Sequence, residues 1–345
     1  MNDDAARLFE EAEALRRANR HGEAVARYRQ VLREAPDHLP TLMSLSVVHR
    51  ANANRGQAAR YLRRAARLRP DDWAVRYQLG YQLLRLSRFT EAEGHLRAAA
   101  DSALARFPLA GRLASYACFM AEGRAIARFD HRGRTVHFAI DGDNVGLDIF
   151  PVSGEFFERD ELDHTRRVIP QDAVIIDVGA NAGNHLVYYG CFLAPRRIVP
   201  IEPHPGAVDL LLRNAALNGI DCIDARGLGR GAGRKRERRA LAHSATGDLV
   251  TSGLRAGANG TVDVLPLDTM IDGKVDFIKI DVEAMELDVI HGARAIIKAS
   301  RPVLMVEVQN ANRTQFEAIL DSLGYTITES FAGPGYENHF AEPDR

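Results

Sequence analysis

Val174-Ile-Ile-Asp-Val-Gly-Ala-Asn-Ala-Gly-Asn184 is the stretch that decides the fold of the carboxyl-terminal half of this chain. Its apolar start reads as a buried strand that ends at Asp177, and a turn with Gly179 and Gly183 follows before an amphipathic run begins. Glycine lets the backbone approach a bound group with no Cβ in the way, and Asn181 tolerates strained turn conformations. Open α/β sheets bind ligands at the carboxyl ends of their strands. The stretch therefore predicts a ligand-binding loop.

The spacing of these glycines argues against one class of ligand. The nicotinamide dinucleotide fingerprint is G-x-G-x-x-G, whereas the glycines here are four residues apart and no third glycine is in register. A nicotinamide-dependent oxidoreductase is therefore a lesser alternative for this domain.

The composition is typical of a globular protein with two domains. The chain has 345 residues, of which 46% are hydrophobic and 26% charged, and its formal net charge is −1. Residues 1–102 carry 18 arginines and 13 acidic residues, an excess too small to indicate a nucleic-acid partner. The three cysteines are scattered without metal-ligand spacing, and the first residues lack the pattern of a signal peptide. No apolar run reaches the length of a membrane span, so we expect a cytoplasmic protein.

The first hundred residues repeat with a period of 34. Pro36-Asp37 recurs as Pro70-Asp71, and the small residues at 12, 46 and 80 keep the same phase. This period, with small residues where paired helices cross, is typical of tetratricopeptide repeats. About three repeats in residues 1–102 would form a short all-α solenoid whose concave surface docks a protein or peptide, or they would merely support the neighbouring domain. The arginines would favour an acidic partner.

Two further elements are expected between the repeats and the loop. Residues 103–130 contain an apolar helix, from 103 to about 128, that would bridge the domains or cap the solenoid. After Gly133 hydrophobic residues alternate from Val136, and we expect a β-hairpin with its turn at Asp141-Gly142 and its second strand continuing to Ile149. The second domain therefore spans residues 131–345.

Residues 174 to about 308 alternate between short apolar strands and helices, which is typical of a doubly wound α/β sheet. We place its strands at residues 174–178, 198–201, 221–225, 275–280 and 302–308. Four acidic residues lie at the ends of these strands: Asp177, Glu202, Asp281 and Glu307. Because the carboxyl ends of parallel strands share one edge of the sheet, these acids would surround one cleft, although each could instead cap a helix.

The acidic residues indicate the chemistry of the ligand. Glu202 lies 19 residues beyond Gly183, where an acid can accept hydrogen bonds from both hydroxyls of a ribose. A mouth rich in carboxylates suits a cationic ligand better than a pyrophosphate. A positively charged nucleoside without phosphate is S-adenosylmethionine. The residues that we predict to bind this cofactor are Asp177, Gly179, Asn181, Gly183, Asn184 and Glu202.

Four ordered blocks of the sequence resemble the FkbM family of methyltransferases. They are IDVGANAGNH at 176–185, IEPHP at 201–205 followed by Asn214 and Asn218, Leu267-Asp268, and IKIDVEAMEL at 278–287. The resemblance runs from about residue 150 to 342 and leaves the repeats out. It implies the class I methyltransferase fold, a Rossmann-like seven-stranded sheet that ends in a hairpin at 325–330 and 336–341. It also implies S-adenosylmethionine as cofactor and, for the family at large, methylation of a hydroxyl on a sugar, a glycan or a specialised metabolite.

The chain departs from the family pattern at one residue and adds a basic segment. Ala284 stands where the family usually has glycine. If that position needs a positive φ, alanine costs roughly 1 kcal/mol, and its methyl group would intrude on the pocket. Residues 228–262 include six basic residues between 230 and 239. They would form a mobile flap that meets an acidic acceptor, or a solvated loop.

Methyl transfer to an alcohol is an in-line displacement that a general base assists. Asp281 is the first candidate for this base and Glu283 the second, because both follow the strand that would face the methyl group. Lys279 would orient the acceptor or pair with an acid. Asp281, Glu283 and Glu307 could instead hold a divalent metal, but we predict a site without metal. A non-catalytic repeat adaptor with a degenerate enzyme domain, suggested by Ala284, is the main alternative to an enzyme.

Overall fold

The computed structural model describes residues 3–103, 108–242, 253–256, 260–282 and 284–344. The chain divides into two compact units, Met1–Ala125 and Ile126–Arg345. The division lies inside the segment predicted to bridge the domains, and the domain limits of 1–102, 103–130 and 131–345 stay a prediction. Among the described residues, no helix combines the length and the apolar character that a membrane span requires.

The described part of the first unit is built from helix hairpins. Its helices are α1 (Asp3–Arg17), α2 (His21–Glu34), α3 (Leu39–Ala51), α4 (Arg55–Leu68), α5 (Trp73–Leu84), α6 (Phe89–Ala103) and α7 (Pro108–Ala121). Helices α1 and α2, α3 and α4, and α5 and α6 pack in pairs, and α7 packs on α6. The turns within the pairs contain Asn19, Ala53 and Ser87, each with a φ of 55–57°. These residues are 34 apart, so the period of the sequence is also a period of the backbone.

Small side chains lie at the contacts between paired helices, as the repeat pattern predicts. A Cβ built on Gly80 of α5 would lie 2.6 Å from Leu96 Cγ of α6. Ala12 and Ala24 are fully buried, and Ser46 is nearly so. The first unit is therefore an array of tetratricopeptide-type hairpins, and this part of the predicted fold is confirmed.

The second unit begins with a β-hairpin whose turn lies elsewhere than predicted. Strand β1 (Ile126–His131) pairs antiparallel with β2 (Arg134–Ala139). Both residues of the turn, Arg132-Gly133, have a positive φ, which two-residue hairpin turns of this kind require. The predicted turn at Asp141-Gly142 was wrong, because the residues beyond it form the helix α8 (Val145–Val152). A short apolar helix and an alternating strand share the same hydrophobic pattern over so few residues.

The remainder of the second unit is an α/β domain. Its further strands are β3 (Val174–Val178), β4 (Arg197–Ile201), β5 (Arg230–Ala232), β6 (Glu237–Ala242), β7 (Gly253–Ala256), β8 (Val262–Leu265), β9 (Phe277–Ile280), β10 (Val303–Gln309), β11 (Tyr325–Ala332) and β12 (Tyr336–Pro343). Its further helices are α9 (Arg159–Val168), α10 (Asn184–Phe192), α11 (Pro205–Leu217), α12 (Leu267–Met270), α13 (Glu286–Gly292), α14 (Arg294–Ser300) and α15 (Arg313–Leu323).

The main sheet has the strand order β11-β12-β10-β9-β3-β4. Strands β10, β9, β3 and β4 are parallel, and β12 is antiparallel to both of its neighbours. This arrangement, with helices between the parallel strands, confirms the predicted α/β class and the terminal hairpin.

Six strands pair in this sheet within the described residues, whereas the resemblance implies seven. The predicted strand at 221–225 is reduced to a single bridge between Ile198 and Ile223. Extended backbone ends there because the Asp224 carboxylate accepts a hydrogen bond from the backbone N–H of Arg226 and begins the 3-10 turn Ala225–Gly227.

Much of the predicted basic loop at 228–262 forms a second sheet, with the order β5-β8-β6-β7. Val264 of β8 is fully buried, and Arg238 of β6 pairs with Asp263 of β8 at 3.3 Å. The prediction of an irregular loop was therefore wrong for the described strands, which form cross-strand pairs, whereas the mobility of the segment stays a prediction. Residues 243–252 and 257–259 of this segment lie outside the described residues.

The parallel strands of the main sheet carry charged residues into the interior. Every residue of β3 and β9 is buried, including Asp177 and Lys279. Strands covered on both faces are normally apolar throughout, so these two charges need partners inside the protein.

Candidate functional site

A cavity of about 540 Å³ opens at the carboxyl ends of the parallel strands. Its walls come from the loop after β3, the end of β4, strands β5 and β7, the ends of β9 and β10, and the turn before β12. The predicted site residues that line it are Gly179, Asn181, Asn184, Glu202, Lys279, Asp281 and Glu307. The structure therefore brings these residues together at one cleft, whereas their roles in binding and catalysis stay a prediction.

The glycines of the loop after β3 are required by contacts within the protein. Gly179 has a φ of 78°, and a Cβ on it would lie 1.8 Å from the backbone oxygen of Asp281. Gly183, with a φ of 85°, lies against Leu211 and is not part of the cavity wall. Asn181 also has a positive φ, of 46°. Close packing of the loop against β9 and α11 thus accounts for both glycines, whereas their contact with a cofactor stays a prediction.

Glu202 presents a buried carboxylate to the cavity. Its Oε2 accepts a hydrogen bond from the backbone N–H of Asn181 at 2.9 Å, and its Oε1 accepts one from the backbone N–H of His204 at 2.8 Å. Burial raises the pKa of this carboxyl to about 7, and the two backbone hydrogen bonds offset only part of that rise. Each oxygen keeps a further lone pair, so the group can still accept ligand hydroxyls.

Lys279 is a buried cation between two carboxylates. Its Nζ lies 3.4 Å from Asp177 Oδ1 and 3.1 Å from Asp281 Oδ2, and it donates a hydrogen bond to the Gly179 backbone oxygen at 3.2 Å. Burial lowers the pKa of this ammonium, but Asp281 and Asp177 outweigh that effect and raise the pKa, so Lys279 stays charged. Of the two predicted roles for Lys279, the geometry favours pairing with acids.

Asp177 and Asp281 differ in their access to the cavity. Asp177 is fully buried, faces Lys279 and is not part of the cavity wall. The Asp281 side chain is 34% exposed and lines the cavity. Direct contact between Asp177 and a cofactor stays a prediction, while its observed interaction is with Lys279.

Asn184 joins two segments that lie far apart in the sequence. Its Oδ1 accepts a hydrogen bond from the backbone N–H of Phe157 at 3.1 Å, and its Nδ2 donates one to the Phe157 backbone oxygen at 3.0 Å. These two hydrogen bonds form the Asn184 clamp. Glu158 follows Phe157 and His185 follows Asn184, so the clamp brings these two residues together, with Glu158 Oε2 3.3 Å from His185 Nε2. Neither of these two residues was a predicted site residue. His185 adjoins the glycine loop and could have been suspected, whereas Glu158 has no such signal.

Ala284 and Glu283 follow Asp281 at the end of β9. Ala284 has a φ of 56°, so the expectation of a position that favours glycine is confirmed. Its side chain is exposed and is not part of the cavity wall, so the expected intrusion of its methyl group on the pocket was wrong. The second candidate base, Glu283, lies outside the described residues. Within the residues that are described, no group of three or more potential ligands could hold a metal ion.

The second unit is a Rossmann-like α/β domain with a cavity at the carboxyl ends of its parallel strands. Residues 177–331 match the family model described as the methyltransferase FkbM domain. This segment of the second unit is therefore similar to the FkbM methyltransferase domain, and the repeats lie outside it.

Solved structures resemble each part of the chain. The methyltransferase FkbM of Methylobacillus flagellatus KT is 19% identical with a TM-score of 0.38, over 58% of this chain and 53% of that chain. This chain thus spans about half the length of that protein. M. jannaschii TYW2 in complex with AdoMet is 12% identical with a TM-score of 0.36, over 64% of this chain and 87% of that one. A third structure is the C-terminal TPR-containing domain of a Plasmodium falciparum protein named as an FK506-binding protein. It is 15% identical with a TM-score of 0.30, over 34% of this chain and 89% of that one. Among curated proteins, none matched at a significant level.

Proposed function

We propose that the second unit transfers a methyl group from S-adenosylmethionine to a hydroxyl on a sugar, a glycan or a specialised metabolite. The observation that carries this proposal is the buried Glu202 carboxylate in the wall of a cavity of about 540 Å³. Such a volume is within the usual range for cofactor sites, and the carboxylate has two lone pairs left for a pair of ribose hydroxyls.

The residues of the cavity suit this cofactor in charge as well as in size. Glu202 would hold the ribose, and the backbone of the loop from Gly179 to Asn181 would lie along the cofactor. Asp281 and Glu307 give the wall a negative character that suits a sulfonium ion. Lys279, whose side chain also lines the cavity, is already paired with two acids. It therefore offers little charge for a pyrophosphate, and such a ligand is disfavoured.

Bound S-adenosylmethionine would supply an electrophilic methyl group. Catalysis by the chain then consists mainly of holding the acceptor oxygen in line with that group. Asp281 could accept a hydrogen bond from the acceptor hydroxyl, and it is our first candidate for the general base. Lys279 would hold the Asp281 carboxylate in position through its 3.1 Å contact. The enclosing walls would exclude water from the reacting oxygen.

The repeats of the first unit are proposed as a docking surface for a protein partner. Tetratricopeptide-type arrays expose concave helical surfaces, and the arginine excess of residues 1–102 favours an acidic partner. The three cysteines are free, which agrees with a reducing compartment, and we propose the cytoplasm as the location.

Calorimetric titration of S-adenosylmethionine and S-adenosylhomocysteine into the wild-type protein and a Glu202→Ala variant tests the cofactor. We expect both ligands to bind the wild type and to lose about 10-fold to 100-fold in affinity in the variant, because a hydrogen-bonded charged partner contributes about 1–3 kcal/mol. Glu329→Ala, at an exposed glutamate of β11, should leave the affinity unchanged. Absence of binding, or binding of NADH in place of both ligands, would overturn the proposal.

Once binding is established, an acceptor screen led by sugars can follow transfer of a labelled methyl group. We expect Asp281→Asn to lower turnover far more than cofactor affinity. An unchanged rate would remove Asp281 from the chemistry. Binding of the cofactor without turnover on any acceptor would favour the adaptor alternative.

A further inference from the structure

Glu158 and His185 form a buried acid and imidazole pair at the cavity. Glu158 Oε2 lies 3.3 Å from His185 Nε2, and each side chain is 6% exposed. Neither of these two atoms has a hydrogen-bond partner among the described residues. His185 lines the cavity, and Glu158 lies behind it. Because Nε2 is turned toward Glu158, Nδ1 is the ring nitrogen left to meet a ligand.

The pair is fixed by contacts from two separate elements, α10 and β12. The Asn184 clamp holds Phe157 against the start of α10. Asn338 of β12 donates a hydrogen bond to Glu158 Oε1 at 2.9 Å, which orients the carboxyl. Glu158 itself has a left-handed φ of 53°, an unfavourable conformation for a residue with a side chain. Strain of this kind persists where surrounding contacts hold it, and it is common at functional sites.

Burial of the pair favours a proton on Glu158 rather than on His185. Burial raises the pKa of Glu158, and Lys279 and Asn338 offset only part of the rise. Burial and the charge of Lys279 lower the pKa of His185 to about 3, although Asp177 and Asp281 act in the opposite direction. His185 therefore stays neutral, and a proton that enters the pair comes to rest on the carboxyl.

We propose that the Glu158–His185 pair takes up the proton that the acceptor hydroxyl loses during methyl transfer. This inference rests on the proposed methyltransferase function. The acceptor oxygen forms a bond to the methyl carbon, and the bond between carbon and sulfur breaks with its electron pair going to sulfur. The hydroxyl proton passes to His185 Nδ1, and the proton on Nε2 passes to Glu158 Oε2. His185 is neutral before and after the step, with its N–H moved from Nε2 to Nδ1.

This route differs from proton uptake by Asp281. The Asp281 carboxylate is 34% exposed and already binds Lys279, whereas Glu158 Oε2 and His185 Nε2 are buried and have no hydrogen-bond partner within the part of the chain that the structure describes. Asp281 would then orient the hydroxyl, with His185 as the catalytic residue that receives the proton and Glu158 as the positioning residue behind it. Long contacts such as the 3.3 Å separation often shorten when a ligand binds.

Nuclear magnetic resonance of protein labelled with 15N at its histidines tests the pair without any acceptor. His185 is assigned from the loss of its signals in His185→Asn. Between about pH 5 and about pH 9, we expect a neutral ring throughout. Its N–H should move from Nε2 at high pH to Nδ1 at low pH as Glu158 takes up a proton. The other titratable groups that interact with the pair are Lys279, Asp177, Asp281, Glu161, Tyr189 and Tyr336.

Glu158→Gln should abolish the change of tautomer with pH, because an amide does not titrate. Glu161→Gln is the matched control, since Glu161 also lies 3.5 Å from the Asn338 amide, and the change should persist in it. Formation of a charged imidazolium in the wild type, or a tautomer that is independent of pH there, would overturn the proposal even if the variant failed to fold. A tautomer change that persists in Glu158→Gln would do the same.

Calorimetric titration of S-adenosylmethionine into the same samples separates the two hypotheses. If the wild type binds the cofactor but its His185 tautomer does not change with pH, only the proposed role of the pair is contradicted, and the proposed methyltransferase function is not. A change of tautomer without cofactor binding contradicts the proposed function and, with it, the catalytic role given to the pair.

Discussion

Glu13 in the repeats and Glu202 in the second unit are both buried carboxylates, yet their surroundings have opposite effects. Glu13 accepts hydrogen bonds from Tyr28, Ser44 and Arg16. Burial raises its pKa, but these bonds outweigh burial and lower the pKa to about 2. For Glu202, burial outweighs two backbone hydrogen bonds, and the pKa rises to about 7. Glu13 in the repeats therefore has enough hydrogen bonds to stay ionised, whereas Glu202 in the second unit can still accept further hydrogen bonds.

This difference teaches how to separate structural charges from candidate functional ones. A buried charge that serves the fold is expected to collect enough partners to keep it ionised. A site that must bind a ligand or move a proton needs groups whose partners are incomplete, and their pKa values shift accordingly. Glu158, His185 and Glu202 belong to the second kind, and Glu13 belongs to the first.

The largest effect is expected from Lys279→Met. It leaves Asp177 buried without its cation, which typically costs about 3–5 kcal/mol. Urea unfolding followed by circular dichroism measures the loss in the second unit. Lys298→Met, at an exposed lysine of α14, should change stability by no more than about 0.5 kcal/mol. If Asp177→Asn added to Lys279→Met restored none of the loss, the pairing of the two residues would not be its cause.

We expect Glu13→Gln to lower the free energy of unfolding by a smaller amount, about 1–3 kcal/mol, because the variant loses charge-assisted hydrogen bonds. The pKa of Glu13 falls from an ordinary 4.5 to about 2 on folding, so its contribution is complete above pH 4.5 and is lost as the pH falls toward 2. Fluorescence of Trp73, the chain's only tryptophan, reports urea unfolding of the first unit. The difference between wild type and variant should vanish in acid. Glu34→Gln, at an exposed glutamate of α2, should behave as the wild type at every pH.

The pH dependence of cofactor affinity tests the raised pKa of Glu202, the second carboxylate of the comparison. With a pKa of about 7, this carboxyl is protonated below neutrality and loses its capacity to accept two hydroxyls. Affinity for S-adenosylmethionine should therefore fall by up to about tenfold for each pH unit below 7 and level off above it. S-adenosylhomocysteine, which lacks the sulfonium charge, should show the same slope in calorimetry. Glu202→Gln should bind weakly with no such slope, and a flat wild-type profile would speak against the raised pKa.

The smallest effect is expected from Ala284→Gly, a gain in stability of about 1 kcal/mol, because alanine is strained at a φ of 56°. Ala194→Gly is a matched control, since Ala194 is also exposed and has a φ of 47°. Both variants should unfold at higher urea concentration, and neither should change cofactor affinity. If cofactor affinity changed in Ala284→Gly but not in Ala194→Gly, Ala284 would have a role in cofactor binding.

The repeats were predictable because their pattern is local and periodic. The same 34-residue spacing governs the small residues at helix contacts and the left-handed turn residues Asn19, Ala53 and Ser87. The parallel strands were predictable for a related reason, since short apolar runs that end at acids leave few alternatives to a covered sheet.

The errors have a common physical origin. The β1–β2 hairpin, the helix α8 and the small sheet around β8 are short elements, and the bridge helix, α7, ends at Ala121 rather than near 128. Over so few residues, hydrophobic periodicity does not distinguish strand from helix, and the tertiary contacts decide.

The sequence by itself determined the two kinds of architecture, the glycine loop and the set of acidic residues at one edge of the sheet. Each of these follows from local pattern and from the geometry of parallel strands. Only the tertiary structure decided which acids are satisfied and which are left with unused capacity. Burial and pairing depend on residues that are distant in sequence, such as Asn338 beside Glu158 and Asp177 beside Lys279. The same residue types therefore become structural in one place and candidates for binding and proton transfer in another.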